Sequence, residues 1–267
     1  MNIKKIGLTL GSLFLAAGVM AGCNTNKKEE TAKGKDLLTQ VKASGELKIG
    51  TEGTYAPFTF HDKSGKLTGF DVDLSNEVAK RLGVKPKYFE TQWDAMFAGL
   101  DAKRFDIIAN EVGIRPDREK KYYFSDPYIT SSGALVVKSD SKVNSFDGIK
   151  GLNAAQSLTS NYGDLAKKYG AKLVGVEGFS QAIQLIETGR ADVTINDKLS
   201  IQNYLNETGD NKVKIAALEN DASNSGFMFR KDDDSLVKAV NKALAEMKKD
   251  GKYDEIVQKW FGKDGLK

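Results

Sequence analysis

The chain has 267 residues, which is enough for one large domain or two of ordinary size. Its 40% hydrophobic and 28% charged residues are typical of a folded globular protein. The formal net charge is only +4, and the lysines are spread along the chain without forming a basic stripe, so nucleic-acid binding is not expected.

The N-terminal segment has the pattern of a secretory signal. Two lysines within the first five residues precede a mostly apolar run over 6–20, which is short for a membrane-spanning helix of roughly 20 residues. Small residues then lead to Cys23, and this arrangement resembles a bacterial lipoprotein signal, in which the cysteine is lipidated and becomes the new N-terminus. We predict a signal peptide over 1–22. A plain signal peptide or an uncleaved anchor is the alternative.

Cys23 is the only cysteine in the sequence, so an intramolecular disulfide is excluded and stability must come from a hydrophobic core. Residues 23–36 are polar and charged and show no apolar periodicity. We predict that they form a flexible tether.

Strands and helices alternate along the first half of the chain. Short apolar runs predict strands over 46–50, 87–90 and 106–109. Apolar residues at helical spacing predict helices from Asp73 to Gly83 and from Trp93 to Leu100. This alternation is typical of an α/β protein with a mainly parallel sheet.

A turn through Gly113 separates the third strand from a helix that starts at Pro116. Proline is favoured at a first helical position because the N–H that it lacks would be unpaired there. Arg118 lies in the first turn, where free N–H groups and the helix dipole favour an anion. A guanidinium beside such a helix start can hold a carboxylate through two hydrogen bonds. The alternative is an ordinary solvated arginine.

A sequence pattern in the first half recurs in the second half. Arg, Asp and Asn occur at the same spacing in 104–110 and 190–196, and in both cases an aromatic residue stands 11 residues before the arginine. This repetition indicates two lobes of similar build. Because ligands collect beyond the carboxyl ends of parallel strands, Asn110 and the pair Asn196–Asp197 are expected to face a shared cleft.

Extended segments over 134–138 and 227–230 flank the second α/β block, and the helices after the latter fit best with the first lobe. We therefore predict lobe 1 over 37–133 and 226–267, and lobe 2 over 134–225, with two strands that cross at the hinge.

The usual catalytic and cofactor patterns do not occur in the sequence. The single histidine, His61, lies in a predicted turn, which disfavours a Ser-His-Asp triad. The glycine-rich phosphate-binding motifs and metal-ligand spacings do not occur either. We expect no cofactor and no metal.

The remaining candidate residues match an amino-acid zwitterion. Arg118 provides a cation, and the N–H groups of Ser160 and Asn161, at the start of another predicted helix, could support the same anion. Asp197 provides a carboxylate for an ammonium from the opposite lobe. Aromatic side chains for the aliphatic part of a ligand come from Tyr55 and Trp93. Singly, each residue has an ordinary alternative, since such aromatics are often core residues and an Asp at a strand end is often a helix cap.

Several segments together resemble the family 3 solute-binding proteins of bacterial ABC importers for polar amino acids, and most of all the cystine-binding members. The resemblance covers about 37–267, and its motifs are GTEGTYAPFTF (50–60), GKLTGFDVDLSNEVAKRLGV (65–84), WDAMFAGLDAKRFDIIAN (93–110), the Arg118 segment through FSDPY (124–128), GRADVTIND (189–197) and DGKYDEIVQKWFG (250–262). It implies a type II, two-lobe periplasmic-binding-protein-like fold, in which each lobe is a mainly parallel sheet flanked by helices.

The resemblance also implies roles for the candidate residues. Arg118 clamps the α-carboxylate of the ligand, and Asp197 receives its α-ammonium. Glu52 matches an acidic position that could meet the second ammonium of cystine. The other implied ligand-binding residues are Tyr55 and Trp93, which stack on the ligand, and Asn110, Glu111, Gly113, Ser160 and Asn161. Two positions depart from the family pattern: Gly113 replaces a common Ser or Thr, and the 158–161 loop lacks a leading glycine.

The implied function is capture of a polar amino acid, with L-cystine as the first candidate, and its delivery to a membrane permease. We expect a monomer, anchored at Cys23 on the extracytoplasmic face of the cell membrane. Another polar or basic amino acid is the alternative ligand. An enzyme similar to cyclohexadienyl dehydratases would have only Glu111 or Glu52 as an acid or base, and a surface sensor that does not serve import is a third possibility.

Overall fold

The computed structural model describes residues 36–232 and 234–262, so the predicted signal peptide, Cys23 and positions 23–35 of the predicted tether lie outside the described residues. The helices are α1 (Leu37–Ser44), α2 (Phe70–Leu82), α3 (Trp93–Asp101), α4 (Pro116–Glu119), α5 (Asn161–Lys168), α6 (Phe179–Glu187), α7 (Lys198–Thr208), α8 (Ser235–Lys249) and α9 (Lys252–Phe261). The strands are β1 (Glu46–Thr51), β2 (Thr54–Tyr55), β3 (Thr59–His61), β4 (Leu67–Thr68), β5 (Lys85–Glu90), β6 (Ile107–Ile108), β7 (Tyr122–Phe124), β8 (Ile129–Ser131), β9 (Gly133–Lys138), β10 (Asn153–Gln156), β11 (Lys172–Gly175), β12 (Val193–Asp197), β13 (Val213–Leu218), β14 (Ser223–Ser225) and β15 (Met228–Arg230).

The first main sheet has the strand order β5–β1–β6–β15–β7, and only β15 runs against the other four strands. Helix α2 covers this sheet and ends at Gly83, whose φ of 77° closes the helix with a left-handed residue. Leu74 and Val78 on the buried face of α2 join Leu47 and Phe229 of the sheet in one hydrophobic core. Helices α8 and α9 pack against α2 and complete this layer.

The second main sheet has the order β11–β10–β12–β9–β13, with β9 antiparallel to its neighbours β12 and β13. Successive residues of β9 point to opposite faces, as the two-residue period of a strand requires. Val136 packs in the core beneath α6, whereas Leu135 and Val137 pack in the core beneath α5. Each main sheet is therefore mainly parallel and carries helices on its faces.

The ribbon of β8 and β14 is a separate antiparallel pair that links the two sheets. The chain passes from β7 through β8 into β9, and it returns through β14 to β15 in the first sheet. The strands predicted at 134–138 and 227–230 belong to the main sheets, and the sequence patterns had not revealed the ribbon itself. The residue boundaries predicted for the two lobes stay a prediction.

The predicted fold class, an α/β protein of two lobes, is confirmed by this arrangement. Of the helices described, none has both the length and the apolar content that a bilayer crossing requires.

Candidate functional site

A cavity lies where β1, β6, β10 and β12 end, between the two main sheets, and contains about 520 Å³ of space, part of it open to solvent. This is the edge at which α/β sheets bind ligands. Seven of the predicted ligand-binding residues line the cavity: Glu52, Tyr55, Trp93, Asn110, Glu111, Ser160 and Asn161. The other three, Gly113, Arg118 and Asp197, do not line it in this structure.

Arg118 is buried, with 5% of its surface exposed, so it is not an ordinary solvated arginine. Its guanidinium carbon lies 5.4 Å from the ring centre of Trp93 and 5.3 Å from that of Phe97. Nη1 donates a hydrogen bond of 3.0 Å to the carbonyl of Gly113, whereas Nη2 has no partner among the described residues. Burial lowers the pKa of Arg118 to about 10, so the side chain stays charged at neutral pH.

Asp197 is fully buried at the end of β12 and caps α7. Its Oδ1 accepts a hydrogen bond of 2.8 Å from the N–H of Leu199, and its Oδ2 lies 3.4 Å from the hydroxyl of Tyr162. Burial raises its pKa to about 6. Asp197 is therefore a helix cap, as the alternative interpretation of this residue expected. It does not line the cavity itself, but Tyr162, whose hydroxyl it contacts, does.

Glu111 connects the first lobe to the linking ribbon. It adopts an unusual backbone conformation for a non-glycine residue, with φ of 49°, and its N–H donates to the carboxylate of Asp71. The Glu111 carboxylate lies 3.2 Å from the hydroxyl of Tyr55 and 3.2 Å from that of Ser225 in β14. The Tyr55 hydroxyl also lies 2.7 Å from Oδ1 of Asn196 in the second lobe. Burial raises the pKa of Glu111, and the nearby carboxylates of Asp197 and Asp71 raise it further.

Glu52 and Asn110 form a closed pair of hydrogen bonds at the ends of β1 and β6. The Glu52 N–H donates to Oδ1 of Asn110 over 2.7 Å, and Nδ2 of Asn110 donates to the Glu52 carboxylate over 2.6 Å. Burial raises the pKa of Glu52 to about 7. Because both polar ends of the Asn110 side chain are used in this pair, Asn110 holds Glu52 at the cavity wall.

Ser160 is the N-cap of α5, and its hydroxyl oxygen accepts a hydrogen bond of 2.9 Å from the N–H of Gly163. Its own N–H donates to the carbonyl of Ser157 over 3.2 Å. The backbone donor expected from Ser160 is therefore engaged in a local turn. The N–H groups of Asn161 and Tyr162 lie in the first turn of α5, where a helix leaves N–H groups without intrahelical partners.

Asn196, which was expected to face the cleft, lines the cavity. The second lobe also lines it with residues that were not predicted as ligand-binding: Ala155, Gln156, Ser157, Tyr162, Val176, Gly178, Phe179, Ala182 and Thr194. The repeated sequence pattern contained a signal for Phe179 as well as for Asn196. Phe179 is equivalent to Trp93 and Asn196 to Asn110, and all four residues line the same cavity. No comparable pattern marked Gln156 or Thr194. Within the described residues, the structure has no group of His, Cys, Asp and Glu side chains arranged to hold a metal.

A sequence model of the bacterial extracellular solute-binding proteins, family 3, matches residues 47–263. The L-cystine-binding protein TcyA of Bacillus subtilis is 51% identical over 98% of this chain and 99% of its own. A solved ancestral arginine-binding protein bound to arginine, 36% identical, covers 82% of this chain and 99% of its own with a TM-score of 0.78. The L-cystine solute receptor of Neisseria gonorrhoeae in its unliganded open conformation, 45% identical, covers 86% of this chain and 99% of its own with a TM-score of 0.56.

The TM-scores and one contact between the lobes indicate whether the cleft of this chain is open or closed. The arginine-bound structure resembles this chain more closely in shape than the unliganded open structure does, although its sequence identity is lower. In this chain, the hydrogen bond between Tyr55 and Asn196 crosses directly from one lobe to the other. The structure therefore has the cleft closed.

Proposed function

Because the chain belongs to the bacterial extracellular solute-binding proteins, family 3, we propose that it captures a polar amino acid outside the cytoplasmic membrane and delivers it to the permease of an ABC importer. L-cystine is the first candidate ligand, since relatives from Bacillus and Neisseria are named for binding it. The extracytoplasmic location follows from the family, whose members are described as extracellular.

The observation that carries the proposal is the buried, charged guanidinium of Arg118, with one nitrogen that has no hydrogen-bond partner among the described residues. A buried cation with an unused donor is costly unless an anion completes its hydrogen bonds. The carboxylate of an amino acid supplies that anion, and N–H groups at the start of α5 can support it from the other lobe. We propose that the Trp93 ring, which packs on the guanidinium, forms the floor on which the ligand lies.

The charge of the cleft favours a ligand with more than one ammonium group. Glu111 and Asp197 lie close enough for each to disfavour ionisation of the other, and an ammonium between them would relieve this repulsion. Glu52 stands apart from this pair, at the end of β1, and because burial raises its pKa to about 7, an ammonium beside it would favour its ionised form. Cystine has an ammonium at each end, so one ammonium can contact Glu111 and Asp197 while the other contacts Glu52.

The mechanism follows from a site divided between two lobes. A ligand that contacts Arg118 on one side and the start of α5 on the other binds the closed form more tightly than the open form, so it shifts the protein toward closure. The closed form would then dock onto the permease. We propose that Cys23 anchors the protein to the membrane through a lipid and that the protein acts as a monomer.

Isothermal titration calorimetry of ligand-stripped protein tests the proposal. Cystine is compared with cysteine, which has the same α-carbon groups and one ammonium fewer, and with arginine, histidine and glutamine. We expect cystine to bind most tightly. Tighter binding of another amino acid would replace cystine as the ligand, and binding of none would overturn the proposed function.

An enzyme on this fold is the second candidate, because the buried Glu111 and the half-buried Glu52 are carboxyl groups with raised pKa values at the cavity wall, as a general acid requires. We propose binding without catalysis, since the relatives are named as binding proteins. Turnover of prephenate or arogenate by pure protein would overturn that part. Loss of membrane association in Cys23→Ser, with amino-acid binding retained, is the result expected for the lipid anchor.

A further inference from the structure

The loop before α5 and the first turn of α5 are held by the first lobe at two separate points. At the first point, Asp94 in the first turn of α3 accepts three hydrogen bonds. Its Oδ1 accepts from the N–H and the hydroxyl of Thr159 over 3.1 and 2.6 Å, and its Oδ2 accepts from the N–H of Leu158 over 3.3 Å. One carboxylate therefore fixes two successive residues of the opposite lobe.

The second point lies three residues beyond the start of α5. Nη1 and Nη2 of Arg115 each lie 3.1 Å from Oδ2 of Asp164. Nε of Arg115 also contacts Asp117 in its own lobe over 2.9 Å, which holds the guanidinium in place. The charges are opposite at the two points, because the first lobe offers an anion to Thr159 and a cation to Asp164.

Three of the four residues between these two points, Ser160, Asn161 and Tyr162, line the cavity, whereas Asp94 and Arg115 do not. Both contacts join residues of different lobes, so they exist only while the cleft is closed. Closure thus brings the first turn of α5 to the cavity and fixes it on both sides in the same step.

We propose that Asp94 and Arg115 form a two-point clamp that positions the first turn of α5 against the first lobe. They are positioning residues that do not touch the ligand and that slow its release. This inference rests on the proposed function, because the turn that they hold is the one expected to bind the ligand carboxylate.

A different interpretation is that these are ordinary surface contacts, which often contribute little. The two interpretations differ in what they predict for ligand release. A clamp that forms only in the closed state stabilises the bound complex, but it is absent when the ligand first meets the open form. Its loss therefore accelerates dissociation and leaves the association rate nearly unchanged. Surface contacts of no consequence change neither rate.

The first experiment measures association and dissociation rates of cystine by stopped-flow tryptophan fluorescence. Asp94→Ala removes three hydrogen bonds to a charged group, and we expect dissociation to become about tenfold faster. Asp94→Asn keeps acceptor capacity but loses the charge, and an intermediate rate is expected. Unchanged dissociation in Asp94→Ala would overturn this half of the clamp.

The second experiment exchanges the charges of the ion pair. Arg115→Asp and Asp164→Arg each place like charges opposite one another, and each is expected to weaken binding by roughly fivefold to tenfold. The double variant restores opposite charges and is expected to recover affinity to within about threefold of the wild type. Lys120→Glu, on an exposed residue after α4, is the matched control and should leave binding unchanged. Equal losses without recovery in the double variant would contradict a clamp.

Small-angle X-ray scattering separates failure of the clamp from failure of the proposed function. If no amino acid binds the wild type, the proposed function fails, and the clamp is judged on ligand-free protein alone. Asp94→Ala and Arg115→Asp should then give a larger radius of gyration than the wild type, because loss of the clamp favours the open form. Identical radii would overturn the clamp.

Discussion

Replacement of Arg118 by alanine provides the most direct test of the binding site. The guanidinium already uses Nη1 for the carbonyl of Gly113, so the buried Nη2, which has no partner among the described residues, is the nitrogen that we propose to bind the ligand carboxylate. A hydrogen bond to a charged group contributes about 1.5–3 kcal/mol, so the loss of this contact should raise Kd roughly 10- to 100-fold. Arg118→Lys retains the charge but cannot reproduce the planar contact with Trp93 and Phe97, and an intermediate Kd is expected.

The assay is calorimetry with cystine, together with circular dichroism to show that the fold is retained. Removal of Arg118 also removes the cost of burying a cation, which partly offsets the packing lost between Trp93 and Phe97, so we expect only a small change in melting temperature. Arg104→Ala, an exposed arginine of the same lobe, is the control. A correctly folded Arg118→Ala variant that binds cystine within about threefold of wild-type affinity would refute the carboxylate role.

Four further changes test other parts of the site. Glu52→Gln should weaken cystine binding about tenfold but leave cysteine binding nearly unchanged, since cysteine lacks the second ammonium; equal effects in calorimetry would argue against this role. Tyr55→Phe removes the hydroxyl that contacts Asn196 and should raise Kd about fivefold, mainly through faster dissociation in stopped-flow measurements. Gly113→Ser should fold and bind normally, because a Cβ there would lie 3.6 Å from Nη1 of Arg118, an ordinary contact; loss of folding would contradict this geometry. In the folded protein the pKa values of Glu52 and Asp197 are about 7 and about 6, which is above their ordinary values. Between about pH 4 and 7 the folded protein therefore holds more protons than the unfolded chain, and the melting temperature of ligand-free protein should fall as the pH rises through this range. A rise in melting temperature would contradict these pKa values.

The repeated sequence pattern predicted equivalent structure in both lobes, and the structure shows why. Asp106 and Asp192 occupy the same place in the two copies. The carboxylate of Asp106 accepts the N–H of Lys48 over 3.0 Å, and that of Asp192 accepts the N–H of Asn153 over 2.8 Å. Each aspartate thus fixes the strand next to its own. The recurrence of the aspartate within the repeated pattern could be read from sequence, but its partner could not, because the two hydrogen bonds join residues 58 and 39 positions apart.

The contacts that close the cleft could not be predicted in the same way. Tyr55 and Asn196 are 141 residues apart, and nothing in the local pattern of either residue specifies the other. The role of the Asp197 side chain could not be predicted from sequence either. Its position after a strand is consistent with a ligand contact or with a helix cap, and only the packed structure shows that its Oδ1 accepts the N–H of Leu199.

The strand order of the first sheet has a consequence for how the protein is made. β15 lies between β6 and β7, and its pairing of Met228 with Ile108 joins residues that are 120 positions apart (228 − 108). Until β15 (Met228–Arg230) has been synthesised, the first sheet lacks its fourth strand and β7 has no neighbour in it. The folding of the first lobe must wait for the synthesis of the second, because contacts between distant residues form late. A chain whose first lobe cannot be completed early remains incompletely folded for longer, which is the state that a secretion channel can thread.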